Sequence, residues 1–334
     1  NPDRTVWNES LNFQIPSSWA NGTVRFKIEG VGGGLDCSEE AGPTVDDCQT
    51  TVPFLATDEP DVEYVSIVWT DASSTNWAPS STDITILDRR LEAIYPVSDV
   101  NVRSSTLAWT GTVPPPLADV NASLAWRRQR DSCFSNMGCN RIYYGVLKGP
   151  NGSAGGGVAA GIPSSVSCGY MPDAALVRGR NRHAHEIGHN LNRHHTRQAN
   201  GSGFCGEVSG NAAPTFPYSA NIGGLRATIG PMGAGADTIV GLDHWLLTIG
   251  DFSNGVVDPT QHFELMSYCG ANFRWISDVT YEGLRSRINT LFMPPPPSFL
   301  QEYVVMRGFV NFNNNTVDFH PFGKISTTGQ PPSP

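Results

Sequence analysis

One short segment, His185-Glu186-Ile187-Gly188-His189-Asn190-Leu191-Asn192-Arg193-His194-His195, gathers residues that can hold a metal and move a proton. Helical positions four apart share a face, so His185 and His189 can present ring nitrogens to one ion. Glu186, beside the first histidine, can reach a metal-activated water without ligating the ion. His195 lies beyond the last helical turn and becomes a third ligand only if the chain turns sharply after Leu191. Asn192 is the residue to make that turn, because asparagine is second only to glycine in adopting the left-handed conformation that ends many helices. Three histidines and one open position form the donor set of a catalytic zinc site; a structural site closes all four positions. The expected cofactor is therefore one Zn2+. Calcium is not derivable from the pattern. His183, His194, His244, His262 and His320 lack ligand spacing and are expected to play no metal role.

These residues need a scaffold, and the surrounding pattern predicts one of α/β (α+β) type. Val62-Glu-Tyr-Val-Ser-Ile-Val-Trp69 reads as a strand, and Ile84, Leu87, Leu91 and Ile94 are spaced as a helical stripe that Pro96 stops. Val100–Val102 and Leu107–Trp109 look extended. A second helix is expected over Ala118–Arg130, a strand over Arg141–Leu147, and the ligand helix over Arg178–Leu191. Gly155–Ile162 reads either as an edge strand, open to pairing with an extended substrate, or as a Gly-rich surface loop. Residues 192–260 are loop-rich, and so long an irregular stretch inside a domain usually serves function. A last helix is expected over Ser277–Leu291. Alternation at Leu11–Ile15, Val24–Ile28 and Thr50–Phe54 predicts a small β-sandwich-like module over residues 1–60. Tyr303–Met306 and Phe309–Phe312 open a C-terminal β-module over 297–334, leaving 61–296 as the catalytic unit.

Composition narrows the function class. With 22 Lys+Arg against 31 Asp+Glu the formal charge is −9, which argues against nucleic acid and anionic membranes, since both require a basic face. No stretch approaches the roughly 20 apolar residues of a membrane span. The start at Asn1-Pro2-Asp3 is read as a processed end, and the chain as part of something longer. Seven cysteines follow no C-x-x-C spacing, so thiolate metal binding is not expected. Cys37/Cys48 and Cys133/Cys139 suit short disulfide-closed loops. Charged residues are only 16%, and with the cysteines this favours an oxidising, extracellular compartment.

The ligand segment resembles the metzincin zinc signature H-E-x-x-H-x-x-G-x-x-H, with Asn192 at the usual glycine. Phe263-Glu-Leu-Met266-Ser-Tyr268-Cys269 resembles the Met-turn of that clan and follows His195 by 71 residues. The resemblance covers most of residues 62–293. It implies an upper strand-and-helix half and an irregular lower half, a secreted zinc endopeptidase activity, and extended polypeptide or glycoprotein as substrate. It gives Met266 the role of an apolar floor under the imidazoles. It gives Tyr268 that of a phenol near the zinc, as in astacin- and serralysin-like members, against the alternative of an ordinary packed tyrosine. It implies that Phe273 and Arg274 wall a specificity pocket, and that Cys205 pairs with Cys269. Cys168 then remains a buried free or intermolecular thiol. Within the clan, HEIGHN and Trp275-Ile-Ser-Asp278 are similar to a secreted bacterial-type branch near the mucin-cleaving and gametolysin-like peptidases. In the expected reaction zinc acidifies a water, and Glu186 takes its proton and passes it to the leaving amine. Two other readings stand beside this one: an extracellular structural or adhesive module that retains zinc with little turnover, and a peptidase directed at glycoproteins.

Overall fold

The computed structural model describes residues 22–27, 49–54, 57–131, 139–149, 156–171, 181–198, 200, 202–205, 215–221, 225–231, 240–251, 255–270, 274–292, 301–305, 308–311, 316–319 and 323–327. The expected strand at Leu11–Ile15, Cys37, Cys48, Cys133 and Phe273 lie outside them. By contacts the chain divides into two compact units, residues 1–11 with 57–293 and residues 12–56 with 294–334. In the second unit β1 (Gly22–Lys27) pairs antiparallel with β2 (Gln49–Phe54), and Gln301–Val305 pairs antiparallel with Gly323–Thr327. Strands from both terminal segments therefore fall in this one unit, with β1 against Gln301–Val305.

The first unit is mixed α/β, built on a six-stranded mixed sheet. β3 (Asp61–Thr70) lies between β5 (Asn101–Ala108) and β6 (Ile142–Leu147), parallel to both, and β8 (Val166–Tyr170) runs parallel to β6. Two short antiparallel strands, β4 (Asn76–Trp77) on β3 and β7 (Gly157–Ala159) on β8, end the sheet path. A central parallel strand is covered on both faces, so β3 is buried along most of its length. Successive residues still serve opposite sides. Val62, Tyr64, Tyr144 and Val146 pack with α1 (Ser81–Ile94) and α3 (Arg182–Asn190); Val65, Ile67, Tyr143 and Leu147 pack with α2 (Leu117–Arg130).

Helix α1 begins three residues before Ile84, the first residue of the apolar stripe. The Ser80 hydroxyl accepts from the Asp83 N–H at 3.2 Å, and the Asp83 carboxylate accepts from the Ser80 N–H at 2.6 Å, a reciprocal cap. Strand β8 has no counterpart in the sequence reading. Val-Ser-Cys-Gly-Tyr lacks a β-branched alternation, and its burial beside β6 decides its state.

After α3 the chain is irregular. It holds the short strands β9 (Ser219–Asn221), β10 (Leu225–Ala227), β11 (Gly241–Leu242) and β12 (Val256–Val257), and the five-residue helix α4 (His244–Thr248). β13 (Phe263–Glu264) and β14 (Arg274–Trp275) pair in parallel, and α5 (Asp278–Phe292) closes the unit. No helix among the described residues is long and apolar enough to cross a membrane.

Candidate metal centre

Helix α3 places His185 and His189 on one face and then ends in a specific motif. Asn192 adopts φ 66°, the Asn192 N–H donates to the His189 carbonyl at 3.0 Å, and the Arg193 N–H donates to the Gly188 carbonyl at 2.8 Å. These two bonds with a left-handed residue between them are the Schellman termination. They satisfy carbonyls the helix end would otherwise strand, and they send the chain back along the helix. His195 is thereby brought to the two helical histidines.

The three rings converge at their Nε2 atoms. His185 to His195 is 3.0 Å, His185 to His189 is 3.1 Å, and His189 to His195 is 2.9 Å. His185 Nδ1 lies 2.7 Å from the Leu265 carbonyl and His189 Nδ1 lies 2.6 Å from the Arg193 carbonyl. A carbonyl only accepts, so each Nδ1 carries the hydrogen, and in the neutral ring Nε2 is left a bare lone pair. Both rings favour the neutral form. Burial, then the neighbouring histidines, hold His185 well below the ordinary histidine value; burial and His195 push His189 down to about 4. Two lone pairs pointed at each other repel, so these short approaches are not hydrogen bonds. A cation resolves the repulsion, and tetrahedral zinc ligands at about 2.0–2.1 Å stand roughly 3.3 Å apart. The donor set fits a metal ion, and these three histidines are a group of described residues able to hold one.

Glu186 is buried beside this triad under β7. Its carboxylate accepts from the Ala159 N–H, and a Cβ on Gly157 would stand 2.6 Å from Glu186 Oε1. Glycine at 157 is what lets the strand backbone lie against the carboxylate. Burial pushes the Glu186 carboxyl up to about 7, against the opposing pull of Arg182, the Ala159 N–H and Arg274. A carboxyl that titrates near neutrality both accepts and releases a proton at modest cost.

Met266 lies buried against the opposite side of α3. A Cβ on Gly188 would meet its Sδ at 2.8 Å, so the helix backbone and the thioether are in direct contact. The Met266 carbonyl accepts from the Thr196 N–H at 2.9 Å, one residue after the third histidine. Tyr268, 47% exposed, places its ring centroid 4.8 Å from that of His195 and 6.3 Å from that of His185. Cys205 and Cys269 form a disulfide across a separation of 64 residues. Cys139 is also disulfide-bonded. Cys168 is a buried free thiol on β8 whose Sγ lies 3.3 Å from the Leu117 carbonyl, and burial raises it far above the ordinary thiol value. His183 is buried away from the triad, with Nε2 donating to the Leu87 carbonyl of α1 at 2.8 Å.

Two positioning residues went unrecognised in the sequence. Glu264 is fully buried, and its carboxylate accepts from the Met266 N–H at 3.2 Å and the Ser277 N–H at 2.8 Å, tying the turn at Met266 to the start of α5. Arg90 on α1 pairs with buried Asp243 at 2.5 Å and reaches Asn181, the residue that precedes α3. Arg90 does fall on the apolar stripe of its helix, three after Leu87, and a charge there is the signal that it has a buried partner. No protein-family model matches this chain, and no curated protein matches it.

Proposed function

We propose that this chain is a secreted, metzincin-like zinc endopeptidase. The observation that carries the reading is the convergence of three Nε2 atoms within 3.1 Å, two of them fixed as lone pairs by backbone carbonyls, beside a buried glutamate. When bound, zinc supplies Lewis acidity to a peptide carbonyl and acidifies a water. His185, His189 and His195 would hold the ion. Glu186, oriented by the Ala159 N–H, takes the water's proton and delivers it to the departing amine. Tyr268, whose ring stands against that of His195, would donate its phenol to the oxygen that gains charge. β7 ends the sheet next to Glu186 and offers backbone groups to an extended chain. The Cys205–Cys269 disulfide supports an oxidising compartment.

The test is digestion of unfolded casein by zinc-loaded protein, with Glu186→Gln as the control. The expected result is cleavage by the wild type and loss of at least about 100-fold in a variant that still binds one zinc. A wild type that binds zinc and cuts nothing would make the chain a zinc-retaining structural module.

A further inference from the structure

Two arginines stand on the Glu186 side of the metal triad. Arg182 belongs to the first turn of α3, one turn before Glu186. Its stem presses on β7 beside the Glu186 carboxylate, since a Cβ on Gly157 would meet Arg182 Cγ at 2.9 Å and Glu186 Oε1 at 2.6 Å. Its Nη1 donates to the Tyr170 carbonyl at 2.6 Å. Arg274 comes from β14, just past the Met-turn, and its Nε donates to the Cys269 carbonyl at 3.2 Å, beside Tyr268. Arg274 is electrostatically coupled to Arg182, Tyr268, Glu186 and His185. Helix α3 and strand β14 thus bring both arginines near enough to Glu186 for each charge to act on its carboxylate.

Their charge is left largely unbalanced. Among the described residues no ion pair joins either guanidinium to a carboxylate, whereas Arg90 in the same unit has Asp243 at 2.5 Å. Each guanidinium carries five N–H donors, and the bonds to Tyr170 and Cys269 use one apiece. Burial and the like charge of Arg182 lower the basicity of Arg274, so the pair is held at an energetic cost. Glu186 offsets at most one positive charge of two, and a metal on the triad would add more. Water-poor surroundings, two positive charges and spare planar donors are what a carboxylate binds.

We infer that Arg182 and Arg274 form a carboxylate-binding subsite that selects peptides carrying Asp or Glu within a residue or two of the scissile bond. This rests on the peptidase reading and adds a substrate class to it. The chain itself is acidic, with a formal charge of −9, so the subsite is a local reversal of sign in an otherwise repelling field.

The test is a proteome-derived peptide library digested by the zinc-loaded full chain, with cleavage sites read by mass spectrometry. Asp and Glu should be enriched at least about tenfold over Asn and Gln at one fixed position, a difference of about 1.4 kcal/mol. The ratio should fall towards one in both Arg274→Gln and Arg182→Gln, and Arg274→Lys should retain part of it. Circular dichroism of each variant checks that the fold persists. Cleavage without acidic enrichment would overturn the inference and leave the peptidase reading standing. Should no peptide be cut, the peptidase reading falls, and the subsite is judged by binding alone. A fluorescent Asp-containing peptide must then bind the wild type at least about tenfold more tightly than its Asn counterpart, and equal binding overturns the inference.

Discussion

His185 Nδ1 and the Leu265 carbonyl lie 2.7 Å apart, joining the first candidate ligand to the residue just before Met266. That bond sets the tautomer of the ring and aims its lone pair, the usual task of a partner one bond removed from a metal. The centre is therefore oriented by the Leu265–Met266 segment as well as by its own helix.

Metal removal is expected to destabilise the fold, because three convergent lone pairs repel when nothing separates them. Zinc at about a hundred times its Kd adds about 2.7 kcal/mol. For a unit of this size that raises Tm by about 5–10 °C. Scanning calorimetry with and without EDTA reads the shift, and His185→Ala should abolish it. An unchanged Tm in wild type would refute the linkage.

Asn192 sits at φ 66°, where a β-branched side chain is strained. Asn192→Gly is expected to unfold within a few tenths of a kcal/mol of wild type, and Asn192→Val to lose about 1–2 kcal/mol. The Val variant should also bind zinc roughly tenfold more weakly, since the turn that delivers His195 is disturbed. Competition with a chromogenic chelator measures this, and equal affinities would separate the turn from the site.

Gly188→Ala drives a methyl against Met266 Sδ, which stands 2.8 Å from the Cβ position. A cost of about 1–3 kcal/mol is expected from overpacking. The same substitution in a Met266→Ala background should cost less than half as much. Additive costs in the four-way comparison would show that the two residues do not touch.

Asp88 and Glu92, four apart on α1, supply a pH dependence. Burial first, then carboxylate neighbours including Asp99, raise them to about 6 and about 7. A carboxyl raised on folding stabilises fully below its unfolded value, near 4, and loses that contribution as pH climbs through the folded value. The Asp88→Asn/Glu92→Gln double variant should therefore match wild type at pH 4 and exceed it increasingly up to pH 8. Urea unfolding at pH 4, 6 and 8 decides this; a gain that shrinks as pH rises would contradict it.

Much of the centre was legible because its parts are close in sequence. His185, Glu186, His189, Asn192 and His195 span 11 residues, and helical periodicity with one turn residue suffices to place them. The main strands and helices were legible from periodicity, with ends set by caps such as Ser80 and Asp83. β8 was not, because burial beside β6 decides it more than any propensity of Val-Ser-Cys-Gly-Tyr. Glu264 and Arg90 escaped for a related reason: their partners are Ser277 and Asp243, 13 and 153 residues away. Arg182 and Arg274 meet only through tertiary structure, so nothing in either neighbourhood announces a paired charge.

The termination of α3 at Asn192 separates two kinds of information by their distance along the chain. All three candidate ligand rings, and the Arg193 carbonyl that aims one of them, lie within a stretch short enough to form as a local unit. The Leu265 carbonyl that aims another arrives from 80 residues away. Chelation is thus a low-contact-order event and alignment a high-contact-order one. A nascent chain could therefore gather the three rings before the segment that carries Leu265 exists to orient them.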